Sequence, residues 1–403
     1  MRLGQTSVVY FSSKIVGSAL GSLATLYIAR KIGAEPLGIY HLVVGLVSWL
    51  AIAGEVGISE AVSKRVSEGT DRGKYTLAGV SVIFGLFAVV SAGIVLFRSQ
   101  LVEYVGYPAG GYVVLILLVV LLNSLINSLL VGIHLVHISG VLTPIRTGGR
   151  ALVQISLVAV GASTAGLFIG HLVGYLVAVA IGAWFVLRNV STFRLPNKQH
   201  FKNLVNFAKF SWLGSLRSQM FSYTDIIVLG FFVSSGLIGV YGVAWNVAHF
   251  LILFSGTLRT TLFPEMSAIS SEKEPQAVAQ IVEQSLSFGG LFLVPGLFGG
   301  LLLGERILRL YGPEFPQGAT VLAILIAANL IMGYQSQFLN TLNAVDRPNL
   351  AFRVNGVFTG TNLAFNIILI YMYGWVGAAV ATAGSVAIQF GFCLLLCQQH
   401  YRI

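Results

Sequence analysis

Hydrophobic residues in this chain come in long unbroken runs, and polar residues are confined to short gaps between them. A helix needs about 20 mostly apolar residues to cross a bilayer, whereas a strand of a membrane barrel shows roughly 10 residues of alternating polarity. The runs therefore predict spanning helices over 8–29, 38–58, 76–97, 112–133, 145–163, 166–187, 211–234, 237–258, 284–304, 317–339, 350–371 and 375–397. The fifth and sixth form one stretch too long for a single span, and Ser163-Thr164-Ala165-Gly166 offers a break for a hairpin. Lys14 interrupts the first run and further spans follow, so the N-terminus reads as a retained span rather than a signal sequence.

The largest polar gap follows the sixth run. Phe201, Leu204, Val205, Ala208 and Trp212 recur there at helical spacing, with Lys202, Asn203, Asn206 and Lys209 on other faces. That pattern fits a helix lying in the membrane interface with its lysines on anionic headgroups. It divides the chain into an N-terminal six-helix bundle (1–187), a cytoplasmic linker with the amphipathic helix (188–210) and a C-terminal six-helix bundle (211–403). An internal repeat supports the division: Leu37-Gly38-Ile39-Tyr40 matches Ile238-Gly239-Val240-Tyr241 at an offset of 201 residues, and Ala165-Gly166-Leu167 resembles Val376-Gly377-Ala378. An even number of spans per half makes the repeat parallel, about an axis along the membrane normal. The predicted architecture is an all-α integral membrane protein with twelve transmembrane helices in two parallel-repeat bundles around a central cavity.

Composition agrees with the pattern. Of 403 residues, 56% are hydrophobic and only 9% charged, against about 25% charged in soluble domains. A water-facing globule and a disordered chain are both excluded. Cys393 and Cys397 lie four apart in a late apolar run and read as packing residues, so neither a disulfide scaffold nor a metal site is expected. The net charge of +10 bears on membrane sidedness rather than on nucleic acid. With the N-terminus inside, seventeen of the 24 Lys and Arg fall on the inner side, Arg146 and Arg150 among them; Arg30, Lys31, Arg98, Arg306 and Arg309 fall outside, and two lie within spans. The positive-inside rule then predicts a plasma-membrane protein with both termini cytoplasmic. No glycine-rich phosphate loop ending in Lys-Ser/Thr is present, and no loop is long enough for a catalytic domain. Neither an enzyme nor a cofactor is expected.

Charges inside spans are the candidate chemistry, because each costs about 2.5–3.5 kcal/mol at a helix centre. Lys14 lies in the first predicted span, and Arg217 and Asp225 lie in the seventh. On the repeat offset Lys14 corresponds to Ser215, so the first helix of each half brings a cation to similar depth. Two cations from opposite lobes would seat a phosphate or diphosphate, the Arg as a fork of donors and the Lys as a point charge. Snorkelling of each to the near interface is the competing reading. Asp225 is a candidate for ion coupling or for a structural ion pair. Glu55 reads as interfacial, and the pairs Asn246 with His249 and Asn123 with Asn127 read first as interhelical hydrogen-bonding groups, Asn246 and His249 being weaker cavity candidates. The glycines Gly17 and Gly21, and Gly166, Gly170 and Gly174, predict close helix packing.

The motifs taken together carry a resemblance. Tyr223-Thr224-Asp225-Ile226-Ile227-Val228-Leu229-Gly230, Leu262-Phe263-Pro264-Glu265-Met266-Ser267, Gly57-Ile58-Ser59-Glu60-Ala61, Tyr311-Gly312-Pro313-Glu314-Phe315 and Gly374-Trp375-Val376-Gly377-Ala378-Ala379 join the two Gly-x-Tyr motifs above in order. This series resembles the polysaccharide and lipid-linked oligosaccharide flippases of the multidrug/oligosaccharidyl-lipid/polysaccharide exporter superfamily. The resemblance implies two six-helix bundles around a cavity of alternating access, basic residues in that cavity, and a polyprenyl phosphate- or diphosphate-linked glycan as cargo, with membrane lipids and glycan-assembly enzymes as partners. Two alternatives stand beside it. A cation-coupled multidrug exporter of the same superfamily would favour carboxylates in its cavity. A polyprenyl-linked glycan-transferring enzyme would need acid/base or metal-binding groups in an interfacial loop.

Overall fold

The computed structural model describes residues 3–190, 192–250, 275–344 and 348–401, which form helices joined by short turns, with no strand among the described residues. The first helices are α1 (Leu3–Ile32), α2 (Ala34–Glu55), α3 (Ile58–Ser67), α4 (Arg72–Leu96), α5 (Arg98–Val105) and α6 (Gly110–Gly132). They are followed by α7 (Val136–Ala159), α8 (Thr164–Asn189) and α9 (Lys198–Leu229). Beyond these come α10 (235–250), α11 (Pro275–Arg309), α12 (Ala319–Ala344) and α13 (Pro348–Tyr401). Among the described residues 7 helices are long and apolar enough to cross a membrane. One of them, α13, is broken at Gly374, whose φ of 58° and ψ of −139° turn the chain where the sequence predicts the gap between its last two spans. The chain is a multi-pass membrane protein.

Packing divides the chain into two compact units, Met1–Gly230 and Phe231–Ile403. In the first unit α1 and α8 pack against α7, α6 packs on α3 and α8, and α9 lies on α2, α3 and α4. In the second, α12 packs on both α11 and α13. Cys393 is buried there among Phe338, Leu342, Leu350 and Val354, as a packing residue should be; the Cys397 side chain and the Leu262–Ser267 motif lie outside the described residues.

The repeat survives in the backbone. Helix α2 begins at residue 34 and α10 at 235, the same 201-residue offset as the motifs, and Tyr40 and Tyr241 are both buried. The hairpin expected at 163–166 is also present: α7 ends at Ala159, Gly161 turns with φ of 95°, and α8 starts at Thr164. Gly166 then sits against Leu157 of α7, and Gly377 sits against the Leu369 carbonyl across the Gly374 turn.

Helix α7 departs from expectation. It begins at Val136 rather than at 145, so Arg146 and Arg150 lie near its middle and not at the inner end of the span. The helix extends through a polar stretch because α1 and α8 cover it, and a helix shielded by protein does not need the continuous apolar run that lipid demands. Removing these two leaves fifteen inner-side cations against five, so the charge asymmetry stands.

The segment 201–212 also differs in setting. It runs without interruption into the seventh predicted span as a single 32-residue helix, α9, started by Asn197, whose side chain accepts from the Gln199 and His200 amides. Leu204 and Ala208 are buried inside the first unit, Val205 is exposed, and Lys64 of α3 lies 4.5 Å over the Phe207 ring.

Glycines set how closely α8 approaches α7. A Cβ on Gly174 would meet the Arg146 carbonyl at 2.6 Å and the Arg150 amide nitrogen at 2.7 Å, and one on Gly170 would meet Gln154. On the opposite side, a Cβ on Gly17 of α1 would meet Thr143 and Thr147 at an ordinary 3.6 Å. Gly174→Ala should therefore lower stability by about 1–3 kcal/mol through overpacking. Gly17→Ala should be neutral or stabilising by up to about 1 kcal/mol, the two being compared by thermal melting in detergent.

Candidate functional site

Arg146 and Arg150 are four residues apart on α7, which places them on one face. That face meets α2 and α8, and the residues opposite are aromatic and polar. Tyr40 and His41 come from α2, His171 and Tyr175 from α8, and Tyr223 from α9. The Arg146 guanidinium lies 4.8 Å from the Tyr175 ring centre, and Tyr175 stacks on His171 at 4.6 Å with planes 7° apart. The Tyr40 hydroxyl is 2.7 Å from His171 Nδ1. Arg150 sits among the hydroxyls of Tyr40, Tyr175 and Tyr223, and Gly21 of α1 leaves room for its Nη2.

The cluster is cationic and short of acceptors. Among the described residues no carboxylate lies within ion-pair distance of Arg146 or Arg150. Among the described residues, Arg150 Nε, His171 Nε2 and His41 Nε2 are enclosed and have no hydrogen-bond partner. The Tyr40 hydroxyl and His171 Nδ1 share one hydrogen bond, which leaves Nε2 of the same ring unspent beside the cluster. Buried polar groups without partners are costly, and an anion would answer the arginine. No group of three or more potential metal ligands occurs among the described residues.

Other sequence candidates are dispersed. Lys14 and Arg217 are backbone positions of α1 and α9, both in the first unit, and their side chains lie outside the described residues. Asp225 is a buried residue of α9. Asn246 is exposed, and His249 stacks on Trp245 with ring centres 5.7 Å apart, both in the second unit. Of the polar groups expected to join helices, Asn127 does so: Ser139 of α7 donates to Asn127 of α6 at 2.9 Å, while Asn127 donates to the Asn123 carbonyl within its own helix at 2.8 Å. Glu55 is not simply interfacial, because it accepts from Ser124 at 2.7 Å and ties α2 to α6. Sequence reading put the arginine pair at the inner end of the fifth span and did not count it among the candidate site residues. Its signal was the i, i+4 spacing together with His171 in the next apolar run.

Comparison with known proteins follows the same lines. The profile of a family described as "Polysaccharide biosynthesis protein" matches residues 27–315, which contain all of α2 to α9. This chain belongs to that family. Two family relatives in Haloferax volcanii, the probable flippase AglR and the probable low-salt glycan biosynthesis flippase Agl15, are each 30% identical to it over 96% of this chain and 82% of their own length. In fold, this chain is similar to an inward closed conformation of the lipid II flippase MurJ. The TM-score is 0.82 at 16% identity, over 97% of this chain and 87% of that one.

Removing the Tyr40 hydroxyl tests how the cluster is held. Tyr40→Phe strips His171 Nδ1 of its partner, and stability should fall by about 1–3 kcal/mol, read as a lower melting temperature in detergent, while helix content stays unchanged by circular dichroism.

Proposed function

We propose that this protein is a flippase that carries a polyprenyl-phosphate- or diphosphate-linked oligosaccharide from the cytoplasmic to the outer leaflet, by alternating access, for surface polysaccharide or glycoprotein glycan assembly. The observation that carries the reading is the Arg146 and Arg150 pair, set within the first unit among hydroxyls and imidazoles with no carboxylate in ion-pair reach among the described residues. Guanidinium forks match phosphate oxygens, and their attraction strengthens away from bulk water. Two relatives that bear flippase names at 30% identity support the same cargo class.

Lys14 and Arg217 belong to this proposal as further phosphate contacts. Helical periodicity puts Lys14 on the same face of α1 as Gly17 and Gly21, the glycines that face Thr147 of α7. Asp225 is proposed as a coupling or structural acid, and Asn246 and His249 as contacts from the second unit. The plasma membrane is the proposed location, with both termini cytoplasmic on the charge asymmetry, and glycan-assembly enzymes are the proposed partners. A multidrug exporter with cationic cargo is disfavoured by an arginine-lined interior, and a glycan-transferring enzyme by the transporter character of the relatives.

Translocation of a fluorescent lipid-linked oligosaccharide in proteoliposomes tests the reading. Wild type should move the lipid between leaflets. Arg146→Gln with Arg150→Gln should slow it at least about tenfold, the loss of one charge-assisted contact, and Lys14→Ala with Arg217→Ala should slow it likewise. Normal transport by both double variants, at wild-type melting temperature, would end the phosphate-seat account. Sugar transfer without translocation would favour the enzyme.

A further inference from the structure

A second cationic feature lies in the first unit, where α4 begins. The turn between α3 and α4 and the segment after α8 enclose a cavity of about 260 Å³, lined by Asp71, Arg72, Lys74, Asn189, Thr192 and Arg194. Three cations meet one carboxylate there. That carboxylate is already engaged: Asp71 lies 2.9 Å from Lys74 Nζ and 3.3 Å from His200 Nε2. The hydrogen bond from Lys74, and then that from His200, hold its carboxyl below the usual range. Lys74 is thereby neutralised, and the charges of Arg72 and Arg194 are left over, with no ion pair to either among the described residues.

The cavity is built rather than incidental. Arg72 Nε donates to the Val66 carbonyl at 3.1 Å, which anchors the side chain by its inner nitrogen and leaves the terminal nitrogens of the fork. Helix α4 starts without a side-chain cap, its N-cap Asp71 being in the left-handed region at φ 52°. Its first-turn amides therefore add donors to the same end. Gly73 has no room for any side chain, because a Cβ would strike the Thr192 carbonyl. That close approach presses the segment after α8 onto the start of α4. The volume lies below the roughly 300–1,000 Å³ of sites for drug-sized ligands, so a phosphate or diphosphate fits and a glycan does not.

We propose that this cavity binds a phosphate-bearing anion, clasped between Arg72 at the start of α4 and Arg194 in the segment that leads into α9. The site is separate from the arginine pair of α7 and goes beyond the flippase reading. An anion held there adds to the contacts at Gly73 and between Asp71 and His200 that already join the start of α4 to the approach to α9, the helix that carries Arg217 and Asp225. The phosphate is supplied either by a free anion or by a lipid headgroup at the membrane surface.

The full chain, purified in neutral detergent without any glycan lipid, is titrated with inorganic diphosphate while its melting temperature is followed. It is also reconstituted in nanodiscs of phosphatidylglycerol or of phosphatidylcholine. The exposed Arg194 is reversed in Arg194→Glu, which removes the clasp without touching the packed core, and Arg146→Gln with Arg150→Gln serves as the control for the other site. With the α7 seat removed by Arg146→Gln and Arg150→Gln, diphosphate should still stabilise the protein, and adding Arg194→Glu to that background should raise the concentration needed about tenfold. That result identifies a free anion as the source. Stabilisation by phosphatidylglycerol alone, lost in Arg194→Glu, identifies a headgroup. Equal responses to both with and without Arg194→Glu in that background would overturn the proposal, as would a diphosphate response that vanishes when the α7 seat alone is removed. Because no glycan lipid is present, a failure of translocation elsewhere leaves this result readable.

Discussion

Two guanidinium groups on one apolar-flanked helix are the constraint around which the first unit is organised. A charge away from water needs a partner, a wet space or a surrounding of oriented dipoles, and α7 is given the third. Tyr40, Tyr175 and Tyr223 place hydroxyls about Arg150, and the Tyr175 ring lies under Arg146. The helices that bring these rings must approach closely, which explains why α8 meets α7 through Gly166, Gly170 and Gly174. The glycines and the arginines are thus one device: the first allow the approach that the second require.

The same economy governs the polar groups that join the other helices. Gln154 reaches from α7 to the Leu167 carbonyl in the first turn of α8 at 2.8 Å, beside the hairpin. Ser124 with Glu55, and Ser139 with Asn127, tie α6 to α2 and to α7. Where no water is at hand, such bonds satisfy groups that would otherwise be stranded, and they fix rotation of one helix against the next. At the C-terminal end of α9 a single bond does similar work, the Tyr104 hydroxyl donating to the Ile227 carbonyl at 2.7 Å. Burial raises the affinity of that hydroxyl for its proton and keeps it a donor.

Much of this was legible in the sequence because the bilayer imposes a simple code. Apolar run length located α2, α4, α6 and α8, and the repeat between Leu37–Tyr40 and Ile238–Tyr241 anticipated the matching starts of α2 and α10. Run length failed at α7, since a helix covered by α1 and α8 does not face lipid and is free to carry Arg146 and Arg150 at its middle. It also assigned the stripe of Leu204 and Ala208 to the membrane surface, although both are buried within the first unit. An amphipathic pattern states that a face is covered and is silent on whether lipid or protein covers it. The candidate site was less legible: Lys14 and Arg217 stood out by breaking apolar runs, but their side chains lie outside the described residues, and the pairing of Tyr40 with His171 depends on a contact more than a hundred residues apart in sequence.

The junction after α9 carries a mechanical consequence. Helix α9 continues without a break to Leu229, Gly230 ends it in helical geometry, and α10 begins at 235. A Cβ on Gly230 would press into Leu42 and the Tyr104 ring, so this end of the rod is clamped to its own unit. The residues that follow are engaged as well, the Phe232 ring lying 6.0 Å from that of Tyr371. A side chain at position 230 could be accepted only if Leu42 and Tyr104 gave way, so the exit of the chain from α9 is fixed by shape rather than by charge.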